Sequence, residues 1–468
     1  MARPVLRTPL CRYLGIEYPI ILAGMGGWSN PTLPKLVAAV SEAGGLGVLG
    51  VANLEPDEVR ARIREVRKLT DKPFGVDTLL PAKLAEAPTT RSEMWAFLRR
   101  TYPQHVAFMD AQLHKYELPS KHVENEVVVD VNFMKRQIEV ILDEKVPIFA
   151  AALGDPRFIA PEGHKQGMII MGLAGTVRNA LRQRESGTDV IIAQGYEAGG
   201  HTGNVGGLPL IPQVVDALAP APVVAAGGIS DGRGIAAALC LGAQGVWLGT
   251  TFLVADESGL SDLQKNQIVE GRAEDFVVSR AWTGKPSRAF KNPVTAAWEA
   301  GGVDPLPAPM QRVLMEDFLL AAKSVGRDDL WYNAAGQSAG LVKARRPAAK
   351  IMEDLIEGAI DVLASRAPSF VEAGFAKSRS GKAHARPAAA KKAPPRKTAA
   401  TKAGTRIAGS KKAPAKKPVA KKATGKTKKA VIKKAGTKAA RKMSVARRPL
   451  GRRIKGRRTG RKGPRGRR

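Results

Sequence analysis

The feature that most constrains this sequence is a repeated alternation of short apolar segments with amphipathic helical ones between residues 18 and 251. Residues 18–50, YPIILAGMGGWSNPTLPKLVAAVSEAGGLGVLG, show one unit: a strand at 19–23, a glycine-rich loop, a helix at 31–43 and a second strand at 46–49. A helix between two strands predicts that the strands run parallel, because parallel neighbours need a long crossover connection.

Roughly eight short strands recur in this way, each followed by a helix or a loop of ordinary length. The pattern predicts an α/β fold, a TIM (β/α)8 barrel, with a doubly wound open sheet as the alternative. The last two strands favour the barrel, because they end in glycine-rich turns at 226–228 and 248–250. In such barrels the loops after the last two strands commonly bind a phosphate through backbone N–H groups.

Departures from this alternation predict the domain organisation. Residues 1–251 are predicted to form the barrel, with an insertion at about 81–125 that is polar and too long for a plain connection. Residues 252–366 become mostly helical and predict a smaller cap or side domain over the barrel mouth. Residues 377–468 are rich in Lys, Ala and Pro and lack the apolar side chains that offset the entropy of folding, so they predict a disordered tail.

The excess of basic over acidic residues is confined to this tail. The formal net charge is +33, yet residues 377–468 hold 36 of the 75 Lys and Arg residues and none of the 42 Asp and Glu residues, which leaves a net of −3 before them. Such a tail predicts non-specific nucleic-acid binding through phosphate neutralisation, with an incidental or solubilising extension as the alternative. The tail contains no aromatic residue, which argues against base stacking.

Cysteine usage and hydropathy bear on the compartment. The two cysteines, Cys11 and Cys240, offer no disulfide framework and no metal-ligand spacing, which favours a reducing compartment. The most apolar long window, 36–52, is interrupted by Glu42 and by glycines, so we expect no membrane span. We therefore expect a cytoplasmic protein, with association with the nucleoid through the tail as a further option. A homo-oligomer is plausible for such a barrel, but no residue indicates one.

The stretch DVIIAQGYEAGGHTG at 189–203 carries the candidate catalytic residue, His201. Residues 190–194 are predicted to be a buried strand, and the loop that follows places several glycines around the histidine. A histidine at the carboxyl end of a buried strand is well placed for proton chemistry near neutral pH. A turn that merely contains a histidine is the alternative.

Four glycine-rich strand ends are predicted to face one mouth of the barrel. They are Ala23-Gly24-Met25, Gln194 with Gly199 and Gly200, Ala226-Gly227-Gly228, and Leu248-Gly249-Thr250. None of them is a P-loop, and the sequence contains no cysteine or histidine cluster that could hold a metal. A phosphate-bearing organic cofactor that lies across the mouth is the simplest ligand for such a set.

With these motifs the sequence resembles the nitronate monooxygenase family. These FMN-dependent barrels also include NADH:quinone reductases and FMN-dependent enoyl-acyl-carrier-protein reductases. The resemblance extends over about residues 10–345, in the family's order. The matching segments are PIILAGM, VAAVSEAGGLGVLG, FGVD, AQGYEAGGHTG, AAGGISDGRGIAAALCLGA, GVWLGTTFL, TGKPSR and AGQSAG.

The resemblance implies an FMN cofactor, a nitronate or nitroalkane substrate, and O2, with a carbonyl compound and nitrite as products. It implies that 23–25 line the flavin ring, that 227–228 and 249–250 hold the phosphate, and that His201 acts as a base and stabilises the nitronate anion. The residues implied to bind FMN are Ala23, Gly24, Met25, Asp77, Gln194, Gly199, Gly200, Gly227, Gly228, Trp247, Leu248, Gly249 and Thr250.

The sequence departs from the family at two positions near the expected cofactor. Asp77 stands where many members have asparagine, and a carboxylate there would disfavour a flavin anion. Leu173 stands near a position where some relatives carry a lysine, which removes a cationic contact. Two alternatives stay open: an NAD(P)H-dependent quinone or enoyl reductase of the same family, and a nucleoid-associated protein with a vestigial barrel. Intact His201 and Gln194 argue against a vestigial barrel.

Overall fold

The computed structural model describes residues 5–80, 90–123 and 131–371. The predicted tail at 377–468 and parts of the predicted insertion lie outside the described residues. The strands of the described residues are β1 (Ile20–Leu22), β2 (Gly47–Gly50), β3 (Phe74–Leu80), β4 (Ile148–Gly154), β5 (Ile169–Ala174), β6 (Val190–Gln194), β7 (Gly200–His201), β8 (Val223–Ala226), β9 (Gly245–Leu248), β10 (Phe276–Ser279) and β11 (Ser287–Phe290).

The helices alternate with these strands in the first part of the chain and dominate the last part. They are α1 (Pro9–Leu14), α2 (Pro34–Glu42), α3 (Pro56–Leu69), α4 (Arg91–Thr101), α5 (Pro103–Lys115), α6 (Val131–Asp143), α7 (Ala160–Lys165), α8 (Val177–Glu185), α9 (Gly207–Leu218), α10 (Gly232–Cys240), α11 (Thr250–Leu253), α12 (Asp262–Glu270), α13 (Pro293–Ala300), α14 (Met310–Ser324) and α15 (Ala348–Asp361). Short 3₁₀ turns lie at Pro156–Phe158, Ala273–Asp275, Asp328–Leu330, Gln337–Leu341 and Ala367–Phe370, and a π-helical turn lies at Val362–Arg366.

Eight parallel strands form a barrel, in the order β1-β9-β8-β6-β5-β4-β3-β2. The two ends of this sheet meet where Ile21 of β1 pairs in parallel with Leu46, next to β2. Leu46 N donates to Ile20 O at 3.0 Å, and Leu22 N donates to Leu46 O at 2.9 Å. The predicted TIM barrel is confirmed, and the open sheet that was its alternative is wrong.

Alternation along the strands separates two cores. Ile21, Val48 and Ile192 point into the barrel, whereas Ile20, Leu49 and Ile191 point outward against the helices. Helix α1 lies at the amino ends of the strands, where its apolar side chains join the interior core. Because α1 occupies that end, the carboxyl ends of the strands form the open face of the barrel.

The predicted cap region contains one helix that belongs to the barrel wall. Helix α15 packs outside the barrel between α2 and α10. It approaches α10 so closely that a Cβ atom on Gly232 would lie 2.1 Å from the carbonyl carbon of Gly358. The domain boundaries themselves stay predictions. The segment at 254–347 follows β9 and the short helix α11 in the chain and precedes α15.

The described part of the predicted insertion and residues 281–332 share a second hydrophobic core. Met94, Leu98 and Met109 of α4 and α5 pack there with Trp282 and with Phe318 of α14. We call residues 90–123 and 281–332 together the cap. Helices form most of it, and it contributes β11 to a small antiparallel sheet, β10-β11-β7, that was not predicted. Strand β11 joins the cap to the barrel, because its Ser287 pairs with His201.

Candidate active site

A cavity of about 260 Å³ lies at the carboxyl ends of the barrel strands. All but one of the predicted site residues line it: Ala23, Gly24, Met25, Asp77, Gln194, Gly199, Gly200, His201, Gly227, Gly228, Trp247, Gly249 and Thr250. The exception is Leu248, whose side chain is buried in the core between the barrel and its helices. The parallel strands therefore bring four distant glycine-rich turns to one place, while the roles of the individual residues stay predictions.

The floor of the cavity requires glycine. A Cβ atom on Gly24 would lie 2.3 Å from Cβ of Asp77, and a Cβ atom on Gly199 would lie 2.5 Å from the carbonyl carbon of Ala335. Gly227 and Gly228 have φ values of 87° and 75°, which side chains rarely tolerate. We call Gly24, Gly199, Gly227, Gly228 and Gly249 the glycine side of the site. Backbone atoms, and not side chains, therefore shape this side of the cavity.

The loop after β1 is held in place by one buried hydroxyl group. Thr32 Oγ1 donates to Met25 O at 2.9 Å and accepts from Gly50 N at 2.9 Å. Thr32 is fully buried, so these hydrogen bonds are shielded from water. The hydroxyl therefore fixes the loop at 24–27 against the end of β2.

His201 is fixed on the opposite side of the cavity. Its backbone lies on β7, where its carbonyl oxygen accepts a hydrogen bond from Gln194 Nε2 at 2.8 Å. Its ring Nε2 lies 2.9 Å from Thr283 Oγ1, and the two atoms form a hydrogen bond. Thr283 belongs to the cap, so the orientation of the histidine depends on contacts between distant parts of the chain.

His201 is neutral near pH 7. Burial, together with smaller contributions from the positive charges of Lys285 and Arg312, lowers its pKa from 6.5 to about 4. A neutral imidazole can accept a proton, which suits the predicted role as a base. It does not carry positive charge, and the neighbouring Lys285 and Arg312 supply positive charge that could face an anionic substrate.

Lys285 and Arg312 differ in their partners. Arg312 Nε donates to Glu316 Oε1 at 2.6 Å, and Arg91 Nη1 donates to Glu316 Oε2 at 2.7 Å. Burial favours a protonated Glu316, but the two guanidinium groups outweigh it and hold the pKa of Glu316 below its ordinary value. Within the described ranges, Lys285 makes no ion pair, and burial lowers its pKa. We call His201, Thr283, Lys285 and Arg312 the polar side of the site.

A second cavity, of about 390 Å³, adjoins the first. The two share part of their lining, including Trp28, His201, Thr283 and Arg312, and Lys285 faces the second one. Apolar side chains such as Leu319 and Trp331 line much of the remainder. Together the cavities offer a glycine-lined chamber and a larger, cationic and apolar chamber that meet at His201.

Several lining residues were missed by the sequence analysis. They are Trp28, Asn53, Thr283, Arg312 and Tyr332. Asn53 lies three residues after the end of β2, and Thr283 opens the TGKPSR segment, so both carried a signal that could have been used. Trp28, Arg312 and Tyr332 carried none, because their place depends on the packing of the cap.

The first cavity fits a flavin by its polar and apolar lining. Asn53 Oδ1 is buried and has no hydrogen-bond partner among the described residues, so a ligand can satisfy it. Met25, Leu173 and Trp247 supply apolar surface for a planar ring. Asp77 was expected to be a carboxylate, but burial raises its pKa well above the ordinary value and so favours the protonated carboxyl group.

Comparison with known proteins gives one consistent result. A family model described as nitronate monooxygenase matches residues 7–358. A Staphylococcus aureus protein described as "probable nitronate monooxygenase" is 35% identical over 75% of this chain and 96% of its own length.

Two solved structures agree. A nitroalkane oxidase from Streptomyces ansochromogenes matches with a TM-score of 0.65 and 29% identity, over 76% of this chain and 99% of that one. FabK from Thermotoga maritima matches with a TM-score of 0.61 and 30% identity, over 78% of this chain and 100% of that one.

The fold and the matches define the chain as an oxidoreductase. It belongs to the nitronate monooxygenase family. Members of this family and the two structural neighbours are in general flavin-dependent. Across the described part of the chain, no helix is long and apolar enough to span a bilayer. Among the same residues, no group of three or more His, Cys, Asp or Glu side chains could hold a metal ion.

Proposed function

We propose that this protein is an FMN-dependent nitronate monooxygenase, which oxidises alkyl nitronates with O2 to carbonyl compounds and nitrite. One observation carries the proposal: a half-buried, neutral His201 lies between a glycine-lined chamber and two cationic side chains. A base and a positive field side by side suit a substrate that exists as a neutral nitroalkane and as its anion.

The glycine side would hold FMN. Gly227, Gly228 and Gly249 would bring backbone N–H groups to the phosphate, while Met25 and Trp247 would contact the ring. Bound FMN supplies the electron transfer between the substrate carbon and O2 that no protein side chain offers. The protein's own residues bind, orient and protonate or deprotonate the substrate.

His201 would take a proton from the carbon next to the nitro group of a neutral nitroalkane. Its pKa of about 4 leaves the ring unprotonated at neutral pH, and the negative charge of the nitronate that forms beside the ring would raise that pKa as the proton is transferred. Thr283 holds the ring through its hydrogen bond to Nε2, which limits the orientations of the imidazole. Lys285 would then stabilise the nitronate, because its positive charge lacks an acidic partner within the described ranges.

Aerobic nitrite release tests the proposal. Purified protein loaded with FMN is mixed with a small alkyl nitronate in air, with NADH omitted, and nitrite is measured over time. We expect nitrite to form at a rate proportional to the protein concentration. A yellow, FMN-containing protein that forms no nitrite would contradict the proposal.

The second candidate is a reductase of the same family. The likeness to FabK favours it, because FabK is an enoyl reductase and is as similar to this chain as the nitroalkane oxidase. The same assay separates the two: consumption of NADH with a quinone or an enoyl thioester, without nitrite release from nitronate, would assign the protein to the reductases.

For the tail we propose non-specific binding to nucleic acid. The support is its charge, with 36 Lys and Arg residues and no Asp or Glu in 377–468. A salt titration of DNA binding compares the full chain with residues 1–376. We expect tight binding at low salt by the full chain alone, which weakens steeply as salt rises; equal weak binding by both would contradict the proposal.

A further inference from the structure

Asp77 is the acidic residue that lines the first cavity in the described part of the chain. It lies in β3, between Gly50 of β2 and Ala150 of β4, and only 3% of its surface is exposed. Among the described residues, no group bonds to its carboxyl oxygens, and desolvation is the single cause of its raised pKa. A ligand in the cavity can therefore provide the hydrogen-bond partner that this carboxyl group lacks among the described residues.

The surroundings of Asp77 contain no charge that would favour ionisation. Strands β1, β2 and β4 and the segment at 23–33 contain no charged residue, and β3 contains no other. Helix α6 packs on the opposite face of β3, where Thr78 Oγ1 donates to Gln137 Oε1 at 2.8 Å. The other titratable groups that line the cavity are His201, Arg312 and Tyr332.

The position of the carboxyl group is fixed by its neighbour. A Cβ atom on Gly24 would lie 2.3 Å from Cβ of Asp77 and 3.0 Å from its Oδ2. The absence of that Cβ leaves the carboxyl group in contact with the floor of the chamber, next to the residues proposed to line the flavin ring. A planar ring that lies on 23–25 would therefore have Asp77 at its edge.

We propose that Asp77 acts as a protonated carboxylic acid that donates a hydrogen bond to the flavin ring, so that FMN binds weakly once Asp77 ionises. The inference rests on the proposed FMN cofactor. A protonated carboxyl group has the shape of the asparagine amide and, like it, offers one donor and one acceptor. An ionised carboxyl group offers acceptors alone, is repelled by the ring carbonyl oxygens and by N1 and N5, which are acceptors too, and loses its hydration when FMN covers it.

The predicted pH dependence follows from the sign of the ionisation. Below the pKa of Asp77 the group is neutral and FMN binding is strongest. Above that pKa in the free protein, binding must first restore the proton, so the FMN dissociation constant rises about tenfold per pH unit. A group that cannot ionise, such as asparagine, shows no such rise.

The test is equilibrium FMN binding by wild-type protein and Asp77→Asn, followed by flavin fluorescence between about pH 6 and 9. The ratio of the two dissociation constants removes the titration of FMN itself. We expect this ratio to rise by at least about tenfold toward high pH. A ratio that stays constant while the carboxyl group loses its proton over the same pH range would overturn the inference and leave the cofactor proposal intact.

A second readout does not need FMN. The infrared spectrum of the wild-type protein at neutral pH should show a protonated carboxyl band that Asp77→Asn lacks. Its absence would overturn the inference directly. Failure of both folded proteins to bind FMN at any pH would overturn the cofactor proposal and, with it, this inference.

Discussion

The glycine side and the polar side of the site are built by different physical means. Gly24, Gly227 and Gly228 shape one wall through backbone that lacks side chains, on turns set by neighbouring strands. His201 and Thr283 form the other wall through a side-chain hydrogen bond between the barrel and the cap. The first wall needs the barrel and, at Gly199, the close approach of Ala335, whereas the second needs the cap to pack correctly.

This difference assigns two tasks. Backbone amide groups and close approach suit the tight binding of a flat, phosphate-bearing cofactor. Side chains with shifted pKa values suit proton transfer and charge stabilisation. We therefore expect substitutions on the polar side to change turnover and substrate affinity, and substitutions on the glycine side to change cofactor binding.

The largest effect is expected for His201→Ala. Loss of the base should lower turnover of a neutral nitroalkane by about 100-fold or more, which is the usual contribution of a positioned general base. The measurement is aerobic nitrite release at saturating substrate. His201→Gln, which retains hydrogen-bonding atoms but cannot act as a base, should lose as much; unchanged turnover in either variant would remove His201 from the mechanism.

Gly24→Ala tests the opposite side. The new Cβ atom would lie 2.3 Å from Cβ of Asp77, so backbone and strand must move apart. Overpacking of this kind costs about 1–3 kcal/mol, and we expect FMN affinity to fall by about tenfold or more. Gly175→Ala is the control, because the nearest atom to its new Cβ is 3.6 Å away. Equal FMN affinity in both variants would contradict the close approach at Gly24.

Lys285→Met should act on the anionic substrate. Without the unpaired ammonium group, KM for a nitronate should rise about tenfold while KM for a neutral nitroalkane changes little. Lys285→Arg, which keeps the charge, should retain most of the affinity. A similar rise of KM for both substrates in Lys285→Met would show that Lys285 acts through structure and not through charge.

The pH dependence of the rate gives a further prediction for Lys285→Met. In the wild-type protein the rate on a neutral nitroalkane should fall only as pH approaches about 4, because His201 must be neutral to accept a proton. Burial is the main cause of that low pKa, and Lys285 adds to it. In Lys285→Met the pKa of His201 should therefore rise toward 6.5 and the acid limb should move to higher pH. An acid limb at the same pH in Lys285→Met and wild type would contradict the electrostatic effect of Lys285 on His201.

The smallest effect is expected for Thr283→Val. The substitution keeps the shape and removes the hydrogen bond to His201 Nε2, which is 2.9 Å long. A hydrogen bond of this kind contributes about 0.5–1.5 kcal/mol, so the rate should fall about threefold to tenfold. Thr283→Ser keeps the hydroxyl group and should stay near the wild-type rate. Equal rates in the two variants would show that the hydrogen bond does not orient the ring.

The same contrast explains what could be predicted from the sequence. The strand at Val190–Gln194 has the predicted bounds, since a run of apolar and β-branched residues is a local signal. The glycine side followed, because the carboxyl ends of parallel strands meet at one edge. The strand pairing of Phe276–Ser279 with Ser287–Phe290 was missed, because four-residue strands carry little periodicity.

The protonation of Asp77 and of His201 could not be predicted from the sequence. Asp77 was expected to be a carboxylate, and only its burial between β2 and β4 shows that its pKa is raised. The pKa of His201 is lowered in part by Arg312 in the first turn of α14, and the approach of Arg312 depends on how α14 packs against α4 and α5. Tertiary packing decides both, so no local pattern could reveal them.

The division of tasks between the two sides is tested most directly by one measurement, the FMN dissociation constant of His201→Ala, Lys285→Met, Thr283→Val and Gly24→Ala. We expect the three polar-side variants to bind FMN within about twofold of wild type and Gly24→Ala to bind it at least about tenfold more weakly. Loss of FMN from the polar-side variants, with Gly24→Ala unaffected, would contradict it.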